Sequence, residues 1–216
     1  MKFTKVITKT DNQIRFCHAL KEKNSKLVVA VGPAGVGKTM LSVNHAIEKL
    51  LAKECKKIVI TRPLIGVGDE ELGFLPGDIH KKMYPWMLPI YDNMREYITH
   101  DKLKSLIANE DIEISPLAYM RGRTFDNSVI IGDEVQNTTS IAMKTLLTRV
   151  GSNSQMIITG DLEQSDVKGV NGLKHFLDLI EKYQKKENSN IKIIKFENED
   201  VMRSDLVKEV LDLYNA

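Results

Sequence analysis

Six short apolar runs, most of them followed by a stretch of helical spacing, set the rhythm of this chain. Strands are predicted at 27–31 (LVVAV), 57–62 (KIVITR), 112–117 (IEISPL), 128–134 (SVIIGDE), 155–161 (QMIITGD) and 191–196 (IKIIKF). Apolar runs of that length, bounded by turn signals, suit strands covered on both faces. Pro63 stops the second strand, because proline cannot donate to the ladder. Helices are predicted at 11–23, 38–53, 140–150, 172–186 and 204–214. In the first, Asp11 is the expected N-cap and Ile14, Cys17, His18 and Leu20 the inward face. The least regular part, 64–109, carries the Gly-rich, acidic stretch IGVGDEELGFLPGD and turns helical through 80–107. Pro85 and Pro89 are expected to interrupt that helical region, and Met83, Tyr84, Trp86 and Met87 cluster there as packing residues. The alternation predicts an α/β fold, a parallel sheet with helices on both faces. With no repeat and no low-complexity linker, 1–216 reads as a single domain in which 64–109 is an irregular, helical insertion and a candidate partner surface.

A length of 216 residues suits one well-packed α/β domain, and 42% hydrophobic with 28% charged residues is ordinary for a soluble globular protein. The formal net charge of +2 is too small to argue for nucleic acid by itself. It is unevenly spread: residues 1–57 hold twelve Lys and Arg against four Asp and Glu, and the remainder nineteen against twenty-five. A basic N-terminal third suits an anionic ligand, and bound nucleotide alone would account for it. Cys17 and Cys55 lack metal-ligand spacing and read as free thiols of a reducing compartment. No apolar run approaches membrane-spanning length and the first residues lack a signal-peptide core, so a cytoplasmic protein without a membrane partner is expected.

The chemistry begins at 28–41, VVAVGPAGVGKTML. Gly32, Pro33, Ala34, Gly35, Val36, Gly37, Lys38 and Thr39, with Met40 following, form a P-loop pattern between an apolar strand and a helix. Its glycines permit positive φ and close backbone approach. Successive N–H groups can then cradle a di- or triphosphate against a helix N-terminus. Lys38 supplies a mobile charge to the outer phosphates, and the Thr39 hydroxyl is a Mg²⁺ ligand. In open α/β sheets ligands bind outside the carboxyl ends of the strands, where Asp133 is placed to hold Mg²⁺ and Glu134 to polarise a water. Gln164, shortly after Thr159-Gly160-Asp161, can sense a γ-phosphate through its carboxamide, and Gly160 is read as allowing a tight turn that a side chain would block. Gln13 has an amide able to accept from and donate to an adenine edge, or it faces solvent in a first helical turn.

DNQ (11–13), GPAGVGKT (32–39), TRP (61–63), LGFLPGD (72–78), RGRTFDNSVIIGDEVQN (121–137), LLTRVG (146–151), TGDLEQSD (159–166) and MRSDLV (202–207) together resemble the PhoH-like ATPases over most of the chain. That family is related to the RecA-like core of superfamily 1 helicases. The resemblance implies a RecA-like P-loop NTPase fold, places Gln136 in the family's Asp-Glu-x-Gln-Asn box and makes Gln164 the γ-phosphate sensor. Val135 stands where the box often has Ala, and Ser204 where a His often follows the C-terminal Arg. Arg203 and Arg149 are the candidate arginine fingers, acting within the subunit or on a neighbour. Arg62, and Arg121 with Arg123 around Gly122, are candidate nucleic-acid contacts.

The expected function is Mg²⁺-dependent ATP hydrolysis coupled to movement on, or remodelling of, RNA or single-stranded DNA by a homo-oligomer, such as a hexameric ring. Two alternatives stand beside it: a nucleotide or small-molecule kinase, which would need an arginine-rich lid, and an ATP-gated binding module with little turnover. A GTPase is disfavoured, because no Asn-Lys-x-Asp motif occurs.

Overall fold

Period-2 alternation of β-branched residues builds the sheet. The computed structural model describes residues 6–63, 79–167, 169–183 and 190–202 with Leu206 and Leu213; of 79–86 it describes the backbone alone. Its strands are β1 (Leu27–Val31), β2 (Lys57–Thr61), β3 (Ile112–Ile114), β4 (Ser128–Gly132), β5 (Gln155–Gly160) and β6 (Ile191–Lys195). They form one sheet in the order β3-β2-β4-β5-β1-β6, and every pairing is parallel. Val28, Ala30, Ile58, Ile60, Val129, Ile131 and Ile157 enter one core with Phe16, Leu41, Ile47, Met87 and Leu103. Val29, Val31, Val59, Ile130, Met156 and Ile158 enter the other with Met143, Leu146 and Leu173. Helices α1 (Asp11–Lys21), α2 (Lys38–Leu51), α3 (Ile79–Arg95) and α4 (His100–Ala108) supply the first layer, and α5 (Ser140–Leu147) and α6 (Gly172–Tyr183) the second. This is the expected parallel sheet covered on both faces.

Three local expectations are corrected. Thr10, not Asp11, caps α1: its backbone is extended and its hydroxyl accepts from the Gln13 N–H at 3.3 Å. The face α1 buries is Gln13, Phe16, Ala19 and Leu20, whereas Ile14 is 41% exposed. Phe16 decides that rotation, since its ring meets Phe196 edge-on at 5.8 Å. In 80–107, α3 runs unbroken past Pro85 and Pro89, and the break falls at 96–99 instead. Each interior proline costs on the order of 3 kcal/mol. Met87, Ile90 and Met94, all fully buried on one face, outweigh it through their contact with the first core. Predicted helix 204–214 lies outside the described residues except for Leu206 and Leu213, which are both helical. Among the described residues no helix is long and apolar enough to cross a membrane, and both cysteines are free thiols.

Candidate functional site: a phosphate loop facing two carboxylates

The carboxyl ends of β1, β4 and β5 converge, and the residues that leave them make the site. Gly32, Gly35 and Gly37 have φ of 145°, 88° and 90°, the left-handed region that favours glycine. At Gly32 a side chain is excluded as well, because a Cβ there would lie 2.5 Å from the Phe196 carbonyl oxygen. The loop is fixed by backbone bonds from distant segments: Gly32 N–H to the Gly160 carbonyl (3.2 Å), Phe196 N–H to Val31 (2.7 Å) and Met202 N–H to Gly35 (3.1 Å). Gly37 begins α2 without a side-chain cap, so the first amides of that helix remain suited to an anion. The Lys38 ammonium, nearly buried, donates to the carbonyls of Gly32 (2.6 Å) and Pro33 (2.7 Å). It is thus held over the loop whose ligand it is expected to meet.

β1 and β4 are not neighbours; β5 lies between them. That gap lets Thr39 at the start of α2 reach Asp133 just after β4, with its hydroxyl donating to Oδ1 at 2.7 Å. Thr159 of β5 donates to the same oxygen at 2.6 Å. Asp133 is 2% exposed, and burial raises its pKa, opposed by the Thr159 and Thr39 hydroxyls. A buried carboxylate flanked by hydroxyls and hard oxygen donors fits Mg²⁺. Thr39 and Asp133 are the residues that would hold it.

Glu134 turns the chain. At φ 53° and ψ 38° it is left-handed, which ends the strand alternation and brings its carboxylate beside that of Asp133. Its Oε2 accepts from Gln136 Nε2 at 2.6 Å, and its Oε1 faces Arg62 Nη2 at 3.7 Å. Arg62 Nε also stands 4.0 Å from Asp133 Oδ2. Gln136, 1% exposed, joins this cluster to the 161–171 segment. Its Oε1 accepts from the Asp161 N–H (3.1 Å), its Nε2 lies 3.4 Å from the Gln164 carbonyl, and its own carbonyl accepts from Ser165 Oγ (3.1 Å) and Asn171 Nδ2 (2.8 Å). Gly160 leaves no room for a side chain, as expected: an added Cβ would lie 2.6 Å from Leu173 Cδ2 and 3.0 Å from Gln136 Oε1. Gln164 itself is exposed, in the short 3₁₀ turn Leu162–Gln164 beside the carboxylates.

The remaining predicted residues divide sharply. Gln13 is not solvent-facing: it is 2% exposed, its Oε1 accepts from the Lys9 N–H at 2.7 Å and its Nε2 donates to the Val36 carbonyl at 3.0 Å. It ties α1 to the phosphate loop. Arg149 lies at the amino end of the strands, away from the phosphate loop of its own subunit, where Phe125 donates to its carbonyl ahead of β4. Its Nε, Nη1 and Nη2 are engaged by the Thr145 carbonyl (2.9 Å), the Arg123 carbonyl (2.8 Å) and Thr148 Oγ1 (2.9 Å), closing the end of α5. Arg123 is likewise committed within the fold, paired with Glu113 through both terminal nitrogens (Nη2–Oε2 2.9 Å) and stacked 4.6 Å over Phe125. Arg121 is exposed and lines a groove of about 670 Å³ with Pro63, Asn137, Thr139 and Val167. Arg203 falls outside the described residues, directly after Met202. A cavity of about 860 Å³ opens between α6 and β6; it touches the loop only at Gly32 and Pro33 and none of the carboxylates at 133–134. The phosphate site is therefore assigned from its chemistry, not from cavity size. Thr159, Gln136 as a donor to Glu134 and the Arg62 ion pairs were missed by reasoning on residue types. A polar residue at the end of an apolar strand is the signal that points to Thr159.

The sequence profile of the PhoH-like protein family matches residues 5–215. A PhoH-like protein of Bacillus subtilis (strain 168) is 43% identical over 209 residues, covering 96% of this chain and 63% of that protein. Protein PhoH of Escherichia coli (strain K12) is 39% identical over 214 residues, covering 97% and 58%. The chain thus spans about three fifths of the length of these relatives. Among solved structures, the large terminase from a thermophilic bacteriophage superposes with a TM-score of 0.59 at 10% identity, covering 98% of this chain and 50% of the terminase. The same terminase in complex with ADP gives 0.53 at 11% identity, covering 94% and 49%. That likeness speaks for the fold, a RecA-like P-loop core. With the profile spanning nearly the whole chain and relatives at such identity, the protein belongs to the PhoH-like family.

Proposed function

We propose that the protein hydrolyses ATP with Mg²⁺ and couples the reaction to binding or remodelling of RNA or single-stranded DNA as a homo-oligomer. One observation carries the reading: the Thr39 hydroxyl and the Asp133 carboxylate meet at 2.7 Å beside the phosphate loop, with Glu134 next in the chain. The loop amides and the start of α2 bind the phosphates, and Lys38 leaves its loop carbonyls for the outer phosphates. Thr39 and Asp133 would hold Mg²⁺, which would supply neutralisation of the phosphate charge. Glu134 orients the attacking water and takes its proton as the water oxygen bonds to the γ-phosphorus and the bond to the ADP oxygen breaks. Gln164, on a segment tied to Glu134 through Gln136, reports whether the γ-phosphate is present.

An ADP-bound terminase of the same fold supports nucleotide as the ligand, and Arg62 and Arg121 beside the groove at Pro63 support a phosphodiester partner. Because Arg149 is spent at the far end of the sheet, an arginine finger, if used, is Arg203 or comes from a neighbouring subunit.

The test is phosphate release from ATP, with and without poly(U) and oligo(dT), across salt concentrations. Free phosphate as the product, with a stimulation that weakens as salt rises, is the expected result. A phosphorylated acceptor would favour the kinase alternative. Glu134→Gln should lower turnover by about 10²- to 10⁴-fold while ATP binding survives; unchanged turnover would remove Glu134 from the mechanism.

A further inference from the structure

One oxygen of the Glu134 carboxylate is hydrogen-bonded within the protein and the other faces a guanidinium as an ion pair. Oε2 holds the Gln136 amide at 2.6 Å, and Oε1 faces the Arg62 guanidinium at 3.7 Å. A guanidinium standing 3.7 Å from Oε1 fills space that a water approaching that oxygen would use, so the ion pair crowds the group at its task. The two restraints differ in kind. Gln136 is buried and bonded on every side to the 161–171 segment. The Arg62 side chain is 24% exposed and that of Glu134 34% exposed, so their ion pair is within reach of a competing anion. Arg62 also immediately precedes Pro63, which opens the groove that Arg121 lines. The residue paired with the carboxylates is therefore the chain neighbour of one that lines the groove suited to a polymer's phosphates.

We propose that the Arg62–Glu134 ion pair is a restraint on hydrolysis that a nucleic-acid phosphate releases. A phosphodiester of single-stranded nucleic acid entering beside Pro63 accepts the Arg62 guanidinium, and Glu134 becomes available to water. Arg62 is then a positioning residue acting through Glu134, and one side chain is the link between polymer binding and turnover. Linkage makes the effect reciprocal: whatever frees Arg62 from the carboxylates also strengthens its hold on the polymer. The inference rests on the ATPase reading above.

The experiment compares the full chain with Arg62→Gln and Arg62→Lys, measuring basal ATP turnover, turnover with poly(U), oligo(dT) or heparin, and polymer binding by fluorescence anisotropy across salt. For Arg62→Gln the expected result is a basal rate several-fold above wild type. Stimulation by nucleic acid should fall below about twofold, and the salt slope of polymer binding should drop by about one. Arg62→Lys, which keeps the charge and loses the fork, should fall between, and it carries the test if Arg62→Gln does not fold. A basal rate at or below wild type in both variants overturns the restraint. An elevated basal rate in a protein whose wild type ignores every polymer overturns release by nucleic acid. Stimulation by heparin equal to that by poly(U) and oligo(dT) overturns a nucleic-acid partner in favour of any polyanion. If wild type releases no phosphate above a Lys38→Ala control, the ATPase reading fails first; if it does and only the Arg62 pattern is missing, the restraint alone fails.

Discussion

Acidification from pH 7 to pH 4 should remove about 3 kcal/mol of stability through one side chain, His45. It lies on α2 behind the phosphate loop, 5% exposed, with Nε2 2.8 Å from Gln155 Oε1. The Gln155 amide nitrogen donates to the carbonyls of Leu20 (3.0 Å) and Ser25 (2.8 Å), which fixes its oxygen toward the ring. His45 is therefore neutral with its proton on Nε2. Burial pushes its pKa from 6.5 down to about 4, and the Gln155 bond only partly opposes that shift. Below pH 6.5 the unfolded chain takes up a proton that the folded one refuses, so stability falls with falling pH. Linkage gives a loss of about 2 kcal/mol by pH 5 and about 3 kcal/mol by pH 4. Other groups titrate in this window, so the measurement is a difference. His45→Gln keeps an amide donor without the titration, and urea denaturation of both proteins at several pH values should show wild type losing the extra amount. Curves that stay parallel from pH 7 to pH 4 would refute the assignment.

Gly160→Ala should destabilise by about 1–3 kcal/mol, because the new methyl would press on Leu173 and Gln136; urea denaturation reads the loss, and kcat should fall more than KM changes. Thr159→Val removes one of two hydroxyls bonded to Asp133, and on the order of 1–3 kcal/mol should disappear from stability by the same measurement. Its half-maximal Mg²⁺ concentration in the turnover assay should also move.

Strand positions were legible because apolar alternation and strand-end residues report local chemistry directly: β1 falls where LVVAV places it, and β4 and β5 end within two residues of their predicted ends. The meeting of Thr39 with Asp133 was legible too, since residue type and strand end specify it together. Rotation of α1 was not, because which face turns inward is set by Phe196, far away in the sequence. The prolines of α3 misled for a related reason: their cost is local, while the burial that offsets it comes from the core. Arginines were the least legible. Arg123 and Arg149 have the same side chain as Arg62, and only the three-dimensional arrangement shows that two of them brace the far end of the sheet while one faces the carboxylates of Asp133 and Glu134.

The position of β1 between β5 and β6 has a consequence for how the protein is made. β1 emerges from the ribosome before both strands that flank it and before the Met202 amide that grips Gly35, which follow it by more than a hundred residues. The nascent protein must carry its phosphate loop without lateral support until synthesis has passed residue 160, and without its full set of neighbours until it has passed residue 202. Pairings that span so much sequence close slowly. ATP present during synthesis should thus find no ready pocket on shorter intermediates, and a chaperone that shields an unpaired apolar strand has its natural client in LVVAV.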